Sequence, residues 1–188
     1  MPDGWMQTSL DGVLRRRLVS HEDTRGSFSE LWRESWTALL SQWPFVQANL
    51  SRSHTAVLRG MHFHERQADL WIVLEGRAYV ALTDLREMVA GRADRPASTG
   101  AELGVADALY IPRCVAHGFL AMEPLTLLYL VTGEYDGTDE HGFAWDDPLA
   151  SIAWPAPAPV LSERDRANPG LVEAVASARQ RAGQSASR

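Results

Sequence analysis

The stretch VLRGMHFH at residues 57–64 runs directly into ERQADLWIVLEGRAYVALTDL at 65–85. Successive side chains of a strand point to opposite faces, so an extended 57–64 places Leu58, Gly60, His62 and His64 on one face and Val57, Arg59, Met61 and Phe63 on the other. Glu75-Gly76 then divides the apolar run that follows into arms at 70–74 and 77–85, as a tight hairpin turn would. Upstream, 45–53 reads as another strand. Downstream, a polar, small-residue loop at 90–100 precedes short strands near 108–111, 117–121 and 125–132. Leu31, Trp32, Ser35, Leu39 and Leu40 recur at helical spacing, which predicts a Ser-capped helix over 29–40, closed by Pro44. Its tryptophans, with Trp43, are expected to cover the β domain. The run PAPAPV at 155–160 reads as an extended connector, 171–181 as a helix, and the remainder as a disordered Gly/Ser tail. Many short strands with a minority of helix indicate an all-β sandwich or barrel. If the His62 face lines that barrel, two imidazoles enter a half-apolar cavity in which Gly60 leaves room for a ligand.

Size and charge narrow the function classes. A chain of 188 residues with 45% hydrophobic and 22% charged side chains is expected to form one folded domain. Eighteen basic residues against 24 acidic ones leave a net charge of −6, which repels a polyphosphate backbone, so no nucleic-acid partner is expected. Cys114 is the single cysteine, so an internal disulfide is impossible, and no apolar run is long enough to span a membrane. The opening MPDGWMQTSLDG carries neither a basic leader nor a continuous apolar core, and a cytoplasmic location is expected.

HFHERQADLWIVLEG and IPRCVAHGF resemble, in order and spacing, the two motifs of the cupin superfamily, with His62, His64, Asp69, Gly76, Pro112 and His117 at matching positions. The likeness narrows through RG at 25–26, FVQANLS at 45–51, VLRGMHF, TDLRE, YIP, AHGF, LLYL, WDDP, IAWP and LSERD, all in order. Over about residues 11–169 the chain resembles the dTDP-4-dehydrorhamnose 3,5-epimerases. That resemblance implies a cupin jelly roll with a few peripheral helices over 1–160, and a helical segment at 161–188 that carries Asp165. It further implies a homodimer acting without a cofactor on a nucleotide-linked 4-keto-6-deoxyhexose. His62 is then the base, Asp165 its orienting carboxylate and Tyr129 the opposing acid. Arg25, from its own or a neighbouring subunit, and Arg59 would face the diphosphate. Glu30, Gln47, Asn49, His117, Tyr135 and Trp145 would bind the rest of the substrate. The chemistry accounts for these residue types: C3 and C5 flank the 4-keto carbonyl, so an imidazole that removes either proton needs a stabilised enolate and an acid on the other ring face.

Two positions depart from the family pattern. His64 stands where a Gln is usual, and Asp69 stands in the place of a lysine expected to hold the enolate oxygen. Arg66, Arg77 or a protonated His64 paired with Asp69 are candidate substitutes for that cation. A rival reading joins His62, His64, Asp69 and His117 into a 3-His-1-carboxylate metal site, as in a metal-dependent isomerase or oxygenase. A catalytically silent sugar-binding module is the non-enzyme alternative. The intact His62, Tyr129 and Asp165 set favours the metal-free epimerase, because a metal-bound His62 has no lone pair for a proton.

Overall fold

The computed structural model describes residues 4–185. In chain order the strands are β1 (Met6–Gln7), β2 (Leu14–Arg17), β3 (Ser20–Asp23) and β4 (Gly26–Ser29), then helix α1 (Glu34–Leu40), β5 (Gln47–Ser53), β6 (Leu58–Phe63), β7 (Asp69–Glu75) and β8 (Arg77–Asp84). A short helix α2 (Arg86–Val89) leads to β9 (Ala97–Gly104), β10 (Asp107–Ile111), β11 (Val115–Ala121), β12 (Leu125–Val131) and β13 (His141–Gly142), and the chain ends in α3 (Glu163–Arg166) and α4 (Leu171–Ser185). Two antiparallel sheets result, ordered β1-β2-β10-β7-β12-β5 and β13-β6-β11-β8-β9, while β3 and β4 form a separate hairpin. Neighbours in each sheet are mostly distant in sequence, the crossing pattern of a jelly roll.

Alternation within the strands sends one set of side chains between the sheets. Trp71, Val73, Val80, Leu82, Leu109, Ile111, Phe119 and Leu127 form that central core. A second cluster joins Met61, Phe63 and Phe143 to Leu171, Ala174, Val175 and Ala178 of α4. A third covers the outside of the six-stranded sheet, where Trp36 and Leu40 of α1 meet Trp5, Leu70, Ile72 and Tyr110. Fully burying a Leu or Val contributes roughly 1.5–3 kcal/mol. An exposed ion pair such as Arg77 with Glu102, at 3.4 Å, contributes about 0–1 kcal/mol, so packing fixes the peripheral helices.

The hairpin turn at Gly76 forms as expected, with φ +79°, and a Cβ there would fall 2.1 Å from the Pro124 carbonyl oxygen. Three segments differ from the sequence reading. The helix over 29–40 begins only at Glu34, with Arg33 at its N-cap and no side-chain cap, because Ser29 is committed to β4 opposite Ser20. The polar segment expected to be a loop is in part β9, paired with β8 along its full length from Ala97 to Gly104. Most of β9 is exposed, so it carries no apolar alternation to announce it, and the Tyr79 hydroxyl occupies the space beside Gly100, 1.9 Å from where a Cβ would stand. The last helix continues to Ser185, so the Gly/Ser segment is helical to that point, and the final three residues lie outside the described residues. Trp43 is 42% exposed rather than a cover, with the Arg113 guanidinium 3.2 Å above its ring centroid.

Candidate active site

An irregularity in β6 sets the site. His62 pairs with His117 and Arg59 with Phe119, so three residues of β6 span two of β11. Such a bulge shifts the side-chain parity by one. Arg59 therefore joins His62 and His64 on the cavity side, which corrects the expectation that it faces the opposite way, while Met61 and Phe63 turn outward under α4. The bulge rests on two glycines. A Cβ on Gly60, whose φ is +132°, would come 2.6 Å from Gly118 Cα, and a Cβ on Gly118 would meet Met61 Sδ at 2.8 Å and the Arg59 carbonyl oxygen at 2.9 Å.

Between the sheets lies a cavity of about 400 Å³. One wall is built from cross-strand rows of the six-stranded sheet: Asn49, Tyr129 and Trp71 stand side by side, as do Gln47, Val131 and Asp69. The facing wall carries the pair His62 and His117. His62 and Tyr129 thus approach the cavity from opposite sheets. Trp71 bridges the walls, with its ring edge-on to His117 at 5.1 Å and to Phe119 at 5.7 Å between centroids.

His62 Nε2 lies 2.7 Å from Asp165 Oδ1, a contact between β6 and α3 across 103 residues of sequence. Ser162 caps α3 by accepting a hydrogen bond from the Asp165 backbone N–H, which fixes the carboxylate in place. Burial by itself raises the Asp165 pKa, but hydrogen bonds from His62 and Ser162, together with the electrostatic pull of the His62 ring and the Arg164 guanidinium, outweigh it and hold the carboxyl below its ordinary value. The anion keeps His62 Nε2 protonated and leaves Nδ1, which has no hydrogen-bond partner among the described residues, as the basic nitrogen. Across the cavity, burial foremost and the negative charges of Asp69 and Glu140 push the Tyr129 phenol up, so it holds its proton at neutral pH. Burial drives the His117 pKa down to about 4, keeping that ring neutral, and its Nδ1 lies 3.1 Å from the Val115 carbonyl oxygen.

Of the residues singled out in the sequence, His62, Tyr129, Gln47, Asn49, Arg59, His117 and Tyr135 line this cavity, and Asp165 stands directly behind His62. Arg25, Glu30 and Trp145 do not line it. Arg25 sits in the exposed β3–β4 hairpin bound to Asp23 at 2.5 Å, Glu30 pairs with Arg33, and Trp145 packs 6.5 Å from Trp154. The four-residue metal set does not close, because His62 is turned to Asp165 while only His64, Asp69 and His117 converge. The His64–Asp69 ion pair is not formed either: His64 Nδ1 meets the Asp139 carbonyl at 2.8 Å, and Asp69 Oδ2 faces His117 Nε2 at 3.6 Å. Arg66 and Arg77 are tied outside the cavity, to Asp136 at 2.7 Å and to Glu123 at 3.1 Å. The sequence reading missed Gln67, Trp71, Glu140 and Arg164, all of which line the site. Trp71, two residues after Asp69 in a strand, and Arg164, adjacent to Asp165, were accessible from spacing. Glu140, paired with Arg164 at 2.7 Å, lies in an irregular loop with no periodicity to reveal it.

Residues 7–173 match the family described as dTDP-4-dehydrorhamnose 3,5-epimerase. The chain is 38% identical over 149 residues to the spore coat polysaccharide biosynthesis protein SpsL of Bacillus subtilis, covering 77% of this chain and 96% of that protein. It superposes on the Mycobacterium tuberculosis rmlC epimerase with a TM-score of 0.82 at 28% identity, covering 93% and 92% of the two chains. It also superposes on the Legionella pneumophila dTDP-6-deoxy-D-glucose-3,5-epimerase RmlC, whose crystal structure holds dTDP-4-keto-L-rhamnose, with a TM-score of 0.79 at 29% identity over 89% and 92%. The matched span contains β6, β12 and α3, the three elements that bring His62, Tyr129 and Asp165 together, and on these grounds the chain belongs to the dTDP-4-dehydrorhamnose 3,5-epimerase family.

Proposed function

We propose that this chain inverts a carbon adjacent to the 4-keto group of a dTDP-linked 6-deoxyhexose by removing and returning a proton. The observation that carries this reading is the 2.7 Å contact between His62 and Asp165 on one wall, facing a protonated Tyr129 on the other. His62 Nδ1 takes the proton from C3 or C5, the electron pair moves into the enolate, and Asp165 stabilises the imidazolium. Tyr129 delivers a proton to the opposite face, which inverts the centre. Gln47, Asn49, His117 and Tyr135 contact the sugar, and Arg59 receives the diphosphate, for which a planar fork of donors is suited. The active molecule is a homodimer in which the β3–β4 hairpin brings Arg25 and Glu30 to the neighbouring subunit's cavity. Phe28 on that hairpin is 71% exposed, which supports a role in contacting a second chain. Trp145 acts from the flank, toward the base or sugar ring. The enzyme works in the cytoplasm, in keeping with a chain whose single cysteine, Cys114, can form no internal disulfide.

Incubation with dTDP-4-keto-6-deoxyglucose in D₂O, followed by NMR, tests the reading. Deuterium is expected at C3, C5 or both, and His62→Asn lowers its incorporation by about 10²- to 10⁴-fold, the usual contribution of a positioned base. No exchange at either carbon removes the epimerase assignment and leaves a binding module.

A further inference from the structure

His64, Asp69 and His117 each offer one ligand atom, with all three atoms within 4.8 Å of one another. All three side chains are more than nine-tenths buried, and all three line the reaction cavity. Both imidazoles direct Nδ1 at a backbone carbonyl, His64 at Asp139 and His117 at Val115, which fixes the tautomer that leaves Nε2 as a lone-pair donor. Neither Nε2 has a hydrogen-bond partner among the described residues. The carboxylate is oriented as well: Gln67 Nε2 donates to Asp69 Oδ1 at 2.9 Å and Trp71 Nε1 to Oδ2 at 3.2 Å, and Oδ2, with lone-pair capacity remaining, lies 3.6 Å from His117 Nε2.

Spacing separates a shared ion from a shared proton. A charge-assisted hydrogen bond between an imidazole and a carboxylate draws the atoms to about 2.7–2.9 Å, as the His62–Asp165 pair does at 2.7 Å. His117 Nε2 and Asp69 Oδ2 stand 3.6 Å apart, beyond hydrogen-bond reach. Two ligands each about 2.1 Å from one tetrahedral ion lie roughly 3.4 Å apart, close to that separation.

We propose that His64, Asp69 and His117 bind one divalent transition-metal ion of the zinc, cobalt, nickel or manganese type, with an open coordination position facing the cavity. Two imidazoles and a carboxylate are a donor set for that class of ion. His62 is the cross-strand neighbour of His117 but belongs to Asp165, so the base stays free while a positive charge stands beside it. That charge answers a need of the reaction, because proton removal leaves negative charge on the keto oxygen. The two guanidinium groups lining the cavity are engaged elsewhere: Arg59 with Ser53 Oγ at 3.0 Å, and Arg164 with Glu140 at 2.7 Å. The binding claim stands on geometry alone, whereas the catalytic role rests on the epimerase reading.

The test strips the full chain with a chelator and titrates it with Co²⁺, reading the visible ligand-field bands, and with Zn²⁺ by calorimetry. One ion per chain is expected, with a raised thermal midpoint on loading. Asp69→Asn and His64→Gln, each checked for folding by circular dichroism, are expected to weaken binding by at least about tenfold. Absence of stoichiometric binding overturns the site. So does binding lost in His141→Gln but kept in Asp69→Asn, since it places the ion in the neighbouring Glu65, Asp139 and His141 group. Deuterium exchange into the nucleotide sugar is then compared in stripped and Zn²⁺-loaded protein. Faster exchange on loading is expected; equal exchange overturns the catalytic role, and no exchange in either form counts against the epimerase reading while the ion site stands.

Discussion

Asp165 is 4% exposed yet carries its charge, because the hydrogen bonds it accepts outweigh the cost of its burial. Its carboxyl is held below the ordinary 3.8, so its contribution to stability is complete above that value and is lost as pH falls through the lowered folded value. The stability gap between the parent and Asp165→Asn, followed by urea unfolding from pH 6 to pH 3, is therefore expected to close only below about pH 4. At neutral pH the same substitution should lower kcat with little change in KM, because the carboxylate acts on the imidazolium formed in the transition state. An equal rise in KM would assign Asp165 a purely structural part. The residues of this dyad were legible from motif order, since SERD ends in an acid behind a capping Ser. Their 2.7 Å contact was not, because nothing local relates β6 to a helix 103 residues later.

At the scale of elements, period-two reasoning identified β6 as a strand and directed both histidines inward, but it misplaced Arg59. Alternation holds only where the ladder is unbroken, and the bulge at Gly60 inserts one residue between Arg59 and His62. The opposed glycines were the available signal, since a glycine inside a strand marks a bulge or a close backbone approach. Gly118→Ala should therefore cost about 1–3 kcal/mol, because its methyl meets the Arg59 carbonyl at 2.9 Å, a backbone atom that has no rotamer to change. Activity should fall further than stability implies, as the same displacement moves Arg59 and His62 together. Denaturant midpoints and exchange rates measured on one preparation check both, and a stable, fully active Gly118→Ala would mean that the bulge does not position the site. The strand missed at β9 has the converse cause: a largely exposed edge of small polar residues is held by pairing with β8, which composition does not encode.

For the whole molecule, no residue of the hairpin of β3 and β4 lines its own chain's cavity. Every residue from His21 to Phe28 on that hairpin is exposed. An extended arm with so few contacts of its own gains most by covering a second copy, and a twofold dimer supplies two equivalent exchanges. The dimer reading makes a quantitative prediction that a structural role for the arm does not share. Arg25→Ala and His62→Asn are each expected to be severely impaired as separate preparations. When the two are unfolded together and refolded as a mixture, a mixed dimer unites an intact His62 from one chain with an intact Arg25 from the other in one of its two sites. Random assortment makes half of the dimers mixed, so about one quarter of parental activity should return. If Arg25 serves its own chain, every site in the mixture lacks one of the two groups and no recovery occurs. Sedimentation of each variant alone, expected to give the same dimer as the parent, separates loss of the arm's charge from loss of assembly.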